Sequence, residues 1–222
     1  MTATRRRRIV LEGSAHAEHR WPALVAILLV IVADLLLPSA FGAITQWVVP
    51  GIAGVLAIAL LAINPHRMTV ETRASRVASI ALAVILLLLN QAEVVATVAE
   101  LVDGSAAAPL VLLRALRVWL TDVVVFGLLF WEIDRRGPVA RRLPDDDAAP
   151  DFRFPQEDSG DRTAWRPGFV DYAYFSLSNM MAFSPTDVMP LTARAKLLMA
   201  LQAFTGFVLL ALVISRAVNI LG

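Results

Sequence analysis

The amino-acid sequence predicts an all-α membrane protein with five transmembrane helices and one short re-entrant helix before the last of them. Three observations carry this. Of 222 residues, 58% are hydrophobic and only 18% charged, with mean hydropathy +0.66; soluble domains use roughly 45–50% apolar residues. The apolar residues come in blocks of about 20 or more, the length that crosses roughly 30 Å of hydrocarbon at 1.5 Å per residue. An aromatic, hydroxyl-rich segment, 169-FVDYAYFSLSNMM-181, is set apart from the final apolar block by 182-AFSPTDVMPLTARAK-196.

Taken in order, the chain opens with a basic flank, 1–20, holding Arg5, Arg6, Arg7, Arg8 and Arg20. The apolar block after it is long and lacks a small-x-small cleavage site, so it reads as a retained helix and not as a signal peptide. A four-helix transmembrane bundle, 21–133, follows, with spans at 21–40, 43–63, 77–102 and 107–131. Each is helical because a lipid-crossing backbone must satisfy its own hydrogen bonds. Trp21, Trp47 and Trp131 stand near span ends, where their rings favour the headgroup level. The fifth span is 191–221.

The connections alternate in charge. Arginines fill the N-terminal flank, 64-NPHRMTVETRASR-76 and 134-DRRGPVARR-142, while 41-FG-42 is uncharged and 100-ELVDGSAAAP-109 carries only acids. The positive-inside rule then expects a multi-pass protein of the cell membrane with a cytoplasmic N-terminus. It also expects the polar stretch 134–167 to be a cytoplasmic loop. That stretch is acidic and proline-punctuated, and reads as solvated and without a core of its own. Phe152, Phe154 and Trp165 are the exceptions, able to pin its ends.

The composition excludes several chemistries. There are no cysteines, and the three histidines, His16, His19 and His66, lie in flanks or loops without a second ligand at metal spacing. No Ser–His, His–Glu-x-x-His or glycine-rich nucleophile constellation is present, so no enzymatic activity, cofactor or metal is expected. The expected partners are the lipid bilayer, further copies of the chain and monovalent cations, and not nucleic acid.

Polar residues inside apolar text mark candidate sites, because an ionised group at a helix centre costs about 2.5–3.5 kcal/mol by insertion scales. Asp34 lies roughly 9 Å from the end of its span, Glu93 about 13 Å, and Arg114 and Arg117 about 10–15 Å. Helix alternation puts all four in the same half of the membrane, where an acid–base cluster follows. It is either a fixed salt-bridge network or a proton path; two arginines are too few for steep voltage sensing. Asp122 lies deeper and alone, the best single protonatable candidate, with Thr121 or Asn90 as its expected hydrogen-bond partner.

The segment 169–181 would be about 20 Å long as a helix, half a membrane. Pro167 and Gly168 start it and Pro185 stops it. Tyr172, Ser176, Asn179 and Phe183 form a polar-edged strip at three-to-four spacing. The pattern 187-DVMPLT-192, followed by Arg194, Lys196 and a long helix with Gly206, resembles the region after the selectivity filter in potassium-channel pore domains. That resemblance covers about 50 residues and rests on Asp187, Pro190 and Thr192. It implies a pore-type helix, a turn and an inner helix hinged at Gly206. Where the filter would lie the chain reads MAFSPT without glycine, so the alternating left- and right-handed backbone that aims carbonyls at one ion is missing. Potassium selectivity is therefore not carried over. The whole chain also resembles bacterial multi-pass membrane proteins of unknown function, through Tyr174, Phe175, Phe183, Ser184 and Asp187.

The leading expectation is a pore-loop, channel-like homo-oligomer. Ser176, Asn179, Ser184, Thr186 and Asp187 would line the path, with Phe183, Pro185, Pro190 and Thr192 shaping the turn. Two alternatives stand beside it. One is a non-conducting scaffold or partner-binding protein on a pore-domain fold; the other is a proton-coupled carrier using Asp34, Glu93 and Asp122.

Overall fold

The computed structural model describes residues 8–10, 18–19, 21–63, 70–103, 108–142, 148–158, 165–181 and 188–221. Among them are six α-helices: α1 (Trp21–Leu36), α2 (Ala43–Ile63), α3 (Arg73–Asp103), α4 (Ala108–Ile133), α5 (Phe169–Met180) and α6 (Ala193–Leu221). The chain is thus all-helical, as composition predicts. Pro38 stops α1 short of the predicted end, because a proline pushes the residue before it out of the α region. Gly42, at φ +66°, supplies the left-handed turn that launches α2.

Two stretches, Ala74–Glu100 and Ala193–Arg216, are long and apolar enough to cross a membrane. The apolar stretches Trp21–Leu36 and Gln46–Ala59 are shorter. Helix α4 has 26 residues, a membrane-crossing length, and its apolar text is interrupted by Arg114, Arg117 and Asp122. It is also the central helix, packed against α1, α3, α5 and α6, with 125–134 buried without a break. Around it, the outward faces of the other helices are apolar: Leu28 and Leu29 on α1, Leu88 and Val95 on α3, Phe204 and Phe207 on α6 are all exposed. A helix that is apolar on its outer face as well as its inner one is the pattern of a lipid-facing span.

Two short antiparallel ribbons stitch the connections. Strand β1 (Arg8–Val10) pairs with β2 (Val70–Thr72), joining two arginine-bearing segments; β3 (Phe152–Arg153) pairs with β4 (Met189–Pro190), Phe152 opposite Pro190. The second ribbon corrects the reading of 134–167 as a solvated loop. Asp134, Arg141, Asp151, Phe152 and Phe154 are all buried. Phe152 sits among Phe130, Tyr172 and Phe175 at 5.1–6.3 Å between ring centroids, and Phe154 packs edge-on against Tyr172. Acidic composition hid this, because two phenylalanines and two buried carboxylates suffice to fasten the segment. Phe154 and Trp165, 5.7 Å apart, do pin it as predicted.

Helix α5 starts beside Trp131, near the end of α4, and finishes with Met180 packed on Val94, Val118 and Leu209. Val118 lies roughly 22 Å back along α4 from Ile133. Val188 is already back in the core that holds Phe152 and Phe154, and β4 lies on β3. The end of α5 thus lies at mid-bundle, and Val188 at the end of the bundle where α5 began. Phe183, Ser184, Pro185, Thr186 and Asp187 lie outside the described residues.

Candidate functional site

The polar residues of the interior fall into three layers along α4. Helices α3 and α4 run antiparallel, so residues at similar distances from the end of α3 and the start of α4 face each other. Glu93 faces Arg117, Asn90 faces Asp122, and Glu100 faces Arg114. This register decides which of the predicted charges meet.

In the first layer Arg117, 2% exposed, bridges two carboxylates: Nη2 lies 2.6 Å from Glu93 Oε2 and Nη1 3.3 Å from Asp34 Oδ1. Glu93 also accepts the Ser39 hydroxyl at Oε1 and the Ala40 N–H at Oε2, 3.0 Å away, so it fastens the end of α1 to α3. Asp34, Glu93 and Arg117 thus come together as the depth count predicts. Arg114 does not join them; it pairs with Glu100, nearer the turn.

The second layer centres on Asp122, fully buried roughly 21 Å from the start of α4 and about 16 Å from its end. Its Oδ1 accepts Asn90 Nδ2–H at 2.9 Å and Gln91 Nε2–H at 2.8 Å. Asn90 Nδ2 also lies 3.3 Å from the Val118 carbonyl, and Gln91 Oε1 accepts the Thr205 hydroxyl of α6 at 3.0 Å. Asn90 is a partner the sequence predicts. Asp122 has no cation among its partners. Amide donors to a charged group contribute about 1.5–3 kcal/mol each, against several kcal/mol for desolvating an ion.

Beside Asp122, Ser176 and Asn179 of α5 are 0% and 3% exposed. Ser176 Oγ donates to the Val123 carbonyl at 2.7 Å and accepts Gln202 Nε2–H at 2.7 Å. Asn179 Nδ2 donates to Gln202 Oε1 at 2.8 Å and to the Met199 carbonyl at 3.0 Å. This corrects their assignment as lining residues: both are consumed in bonds that clamp α5 between α4 and α6. Helix α6 runs through Gly206 without interruption, and a Cβ there would collide with the Met180 carbonyl, so Gly206 is a close-approach glycine. Gly127 does the same on α4, where a Cβ would meet Ala173 Cα at 3.3 Å.

The third layer closes the end of the bundle. Asp134 Oδ1 accepts the N–H groups of Asp151, at 2.7 Å, and Phe152, while Oδ2 accepts the Tyr172 hydroxyl at 2.5 Å. Arg141, 0% exposed, donates to Tyr172 Oη at 3.0 Å and the Trp131 carbonyl at 2.8 Å, its guanidinium 4.9 Å from the centre of the Tyr172 ring. Asp151 in turn takes the Thr192 hydroxyl and Arg194 Nε–H, at 2.6 Å. Thr192 Oγ1 accepts the Ala195 N–H at 3.3 Å, so Thr192 caps α6. Pro190, the other described residue of the pore-like pattern, is a ribbon residue in β4. Glu18 accepts the first N–H of α5, from Phe169, at Oε1 and the Trp131 indole at 3.3 Å. Outside the membrane-crossing text, burial raises the Glu157 carboxyl above its ordinary 4.5, although Arg135 Nη2, 2.5 Å away, pulls it the other way.

Sequence reasoning missed Gln91, Gln202 and Thr205, polar residues in apolar helices that carry no charge to mark them. It also missed Glu18, Glu100, Asp134, Arg141 and Asp151, which stand in text already polar. An apolar cavity of about 400 Å³ lies between α4, α6 and the end of α5, lined among others by Leu112, Trp119, Met181 and Leu210. Among the described residues no group of three or more His, Cys, Asp or Glu could hold a metal ion. No family model matches the chain, and no curated protein and no solved structure is significantly similar to it.

Proposed function

We propose that the chain is a non-conducting multi-pass membrane protein, a scaffold or partner-binding module whose half-length helix is a strut that locks the bundle. In this reading α1, α2, α3, α4 and α6 cross the bilayer and α5 enters it halfway. Arg114, Arg117 and Asp122 of α4 are tolerated in the membrane because their partners are internal. The basic segments joined by β1 and β2 lie on the cytoplasmic side with the start of α5, following the positive-inside rule. The observation that carries the reading is the sealing of Ser176 and Asn179, the strip that a conducting path would need, against Gln202, Val123 and Met199. Side chains that are almost fully buried and bonded to neighbouring helices inside one chain present little surface to a lumen, whether within the chain or between copies.

The expected outcome in reconstituted vesicles is no protein-dependent flux of sodium, potassium or chloride at either polarity. Asn179→Ala and Gln202→Ala would lower stability by about 1–3 kcal/mol each, through orphaned buried partners. A protein-dependent current whose ion preference changes in Asp187→Asn would replace this reading with the second one, a conducting homo-oligomer. That second reading is favoured by one observation: Met180 lies at mid-bundle and Val188 at the end where α5 began, the two ends that a pore loop would connect.

A further inference from the structure

We propose that Asp122 is a proton-binding site at the centre of the bundle, carrying its proton on Oδ2 and linked through Gln91 to α6. The inference is independent of whether the protein conducts.

The oxygens of Asp122 are not equivalent. Oδ1 accepts two amide N–H groups, from Asn90 and Gln91. The orientation of both amides is set by other contacts: Asn90 Nδ2 also faces the Val118 carbonyl, and Gln91 Oε1 takes the Thr205 hydroxyl. Oδ1 is therefore the carbonyl-type oxygen, which only accepts. Oδ2 is buried and has no hydrogen-bond partner. That division is the one a neutral carboxylic acid makes, with C=O on one oxygen and O–H on the other. An ionised carboxylate spreads its charge over both oxygens and would leave half of it unsolvated in a dry interior.

Among the described residues no cation bonds to Asp122. On α4 itself, Arg117 is committed to Glu93 of α3 and Asp34 of α1, and Arg114 to Glu100. From α6, the groups directed at this layer are Thr205 and Gln202, while Arg194 is held by Asp151 at the helix start. From α5 they are Ser176 and Asn179; Asp171 caps its own helix and Tyr172 belongs to Asp134 and Arg141. Loss of the proton breaks the O–H bond at Oδ2, leaves the electron pair on the carboxylate and passes H⁺ to water. The charge so created is felt by Gln91, and through it by Thr205, so the contact between α3 and α6 answers to the proton.

Infrared spectroscopy of the full chain in vesicles tests this. A carbonyl-stretch band of a neutral carboxylic acid is expected at neutral pH, lost in Asp122→Asn and kept in Asp34→Asn and Glu93→Gln. Absence of the band from the unsubstituted protein, or its survival in Asp122→Asn, would overturn the assignment. Gln91→Met keeps the acid while removing one donor to its carbonyl oxygen, so the band should move to higher frequency and persist. An unmoved band in that variant overturns the link to α6, even if Asp122→Asn fails to fold.

Discussion

Replacing Arg117 by leucine would leave the Asp34 and Glu93 carboxylates in one buried site with no cation between them. Breaking a buried pair from one side costs about 3–5 kcal/mol, so Arg117→Leu should lower the unfolding midpoint in detergent sharply. Adding Asp34→Asn and Glu93→Gln should recover much of the loss, because a layer without charges has nothing left to compensate. A triple variant as unstable as the single one would show that packing, and not charge, holds this layer. The trio was legible in the sequence because counting along helices yields depth. Arg114 was misassigned because depth alone does not say which residue lies opposite. The antiparallel register of α3 and α4 supplies that, and it was readable from the short spacing between the two helices, which sets Glu100 against Arg114.

Helix α5 depends on two glycines that belong to its neighbours. Gly127 and Gly206 let α4 and α6 approach its backbone, so a side chain at either position has to push α5 aside. Gly206→Val should cost about 1–3 kcal/mol, the usual range for overpacking, and should raise thiol labelling of a cysteine placed at Met181. Unchanged labelling and stability would mean that α6 bends to accommodate the valine, which would restore the hinge reading of Gly206. The length and limits of α5 were readable from Pro167, Gly168 and the polar strip. The direction of that strip was not, because a line of Ser and Asn looks the same whether it meets water or a glutamine. Gln202, alone in an apolar helix, was the clue to its partner.

For the molecule as a whole, the polar end formed by the segment after α4 makes stability depend on acidity. Burial holds the Glu157 carboxyl above 4.5, so the folded state binds its proton more tightly than the unfolded chain does. The resulting contribution is present in full below that ordinary value and is lost as pH rises through the folded one. Thermal unfolding followed between the two should show a decline with rising pH that Glu157→Gln removes; an identical profile in the variant would refute it. The class of fold followed from hydropathy, which is a property of long stretches and survives local error. The closed end did not, since its anchors Asp134, Arg141 and Asp151 stand in a stretch of many similar charged residues, of which Arg136 and Arg153 are exposed.

Glu18 has one more consequence. It accepts the first N–H of α5, a group 151 residues further along the chain. A ribosome adding roughly 5–20 residues per second needs about 8–30 s to cover that distance. Through that interval the early segment has been made and the helix it caps has not. Formation of the first four helices must therefore precede completion of this contact, and a chain released before α5 is translated would lack the partner that holds Glu18.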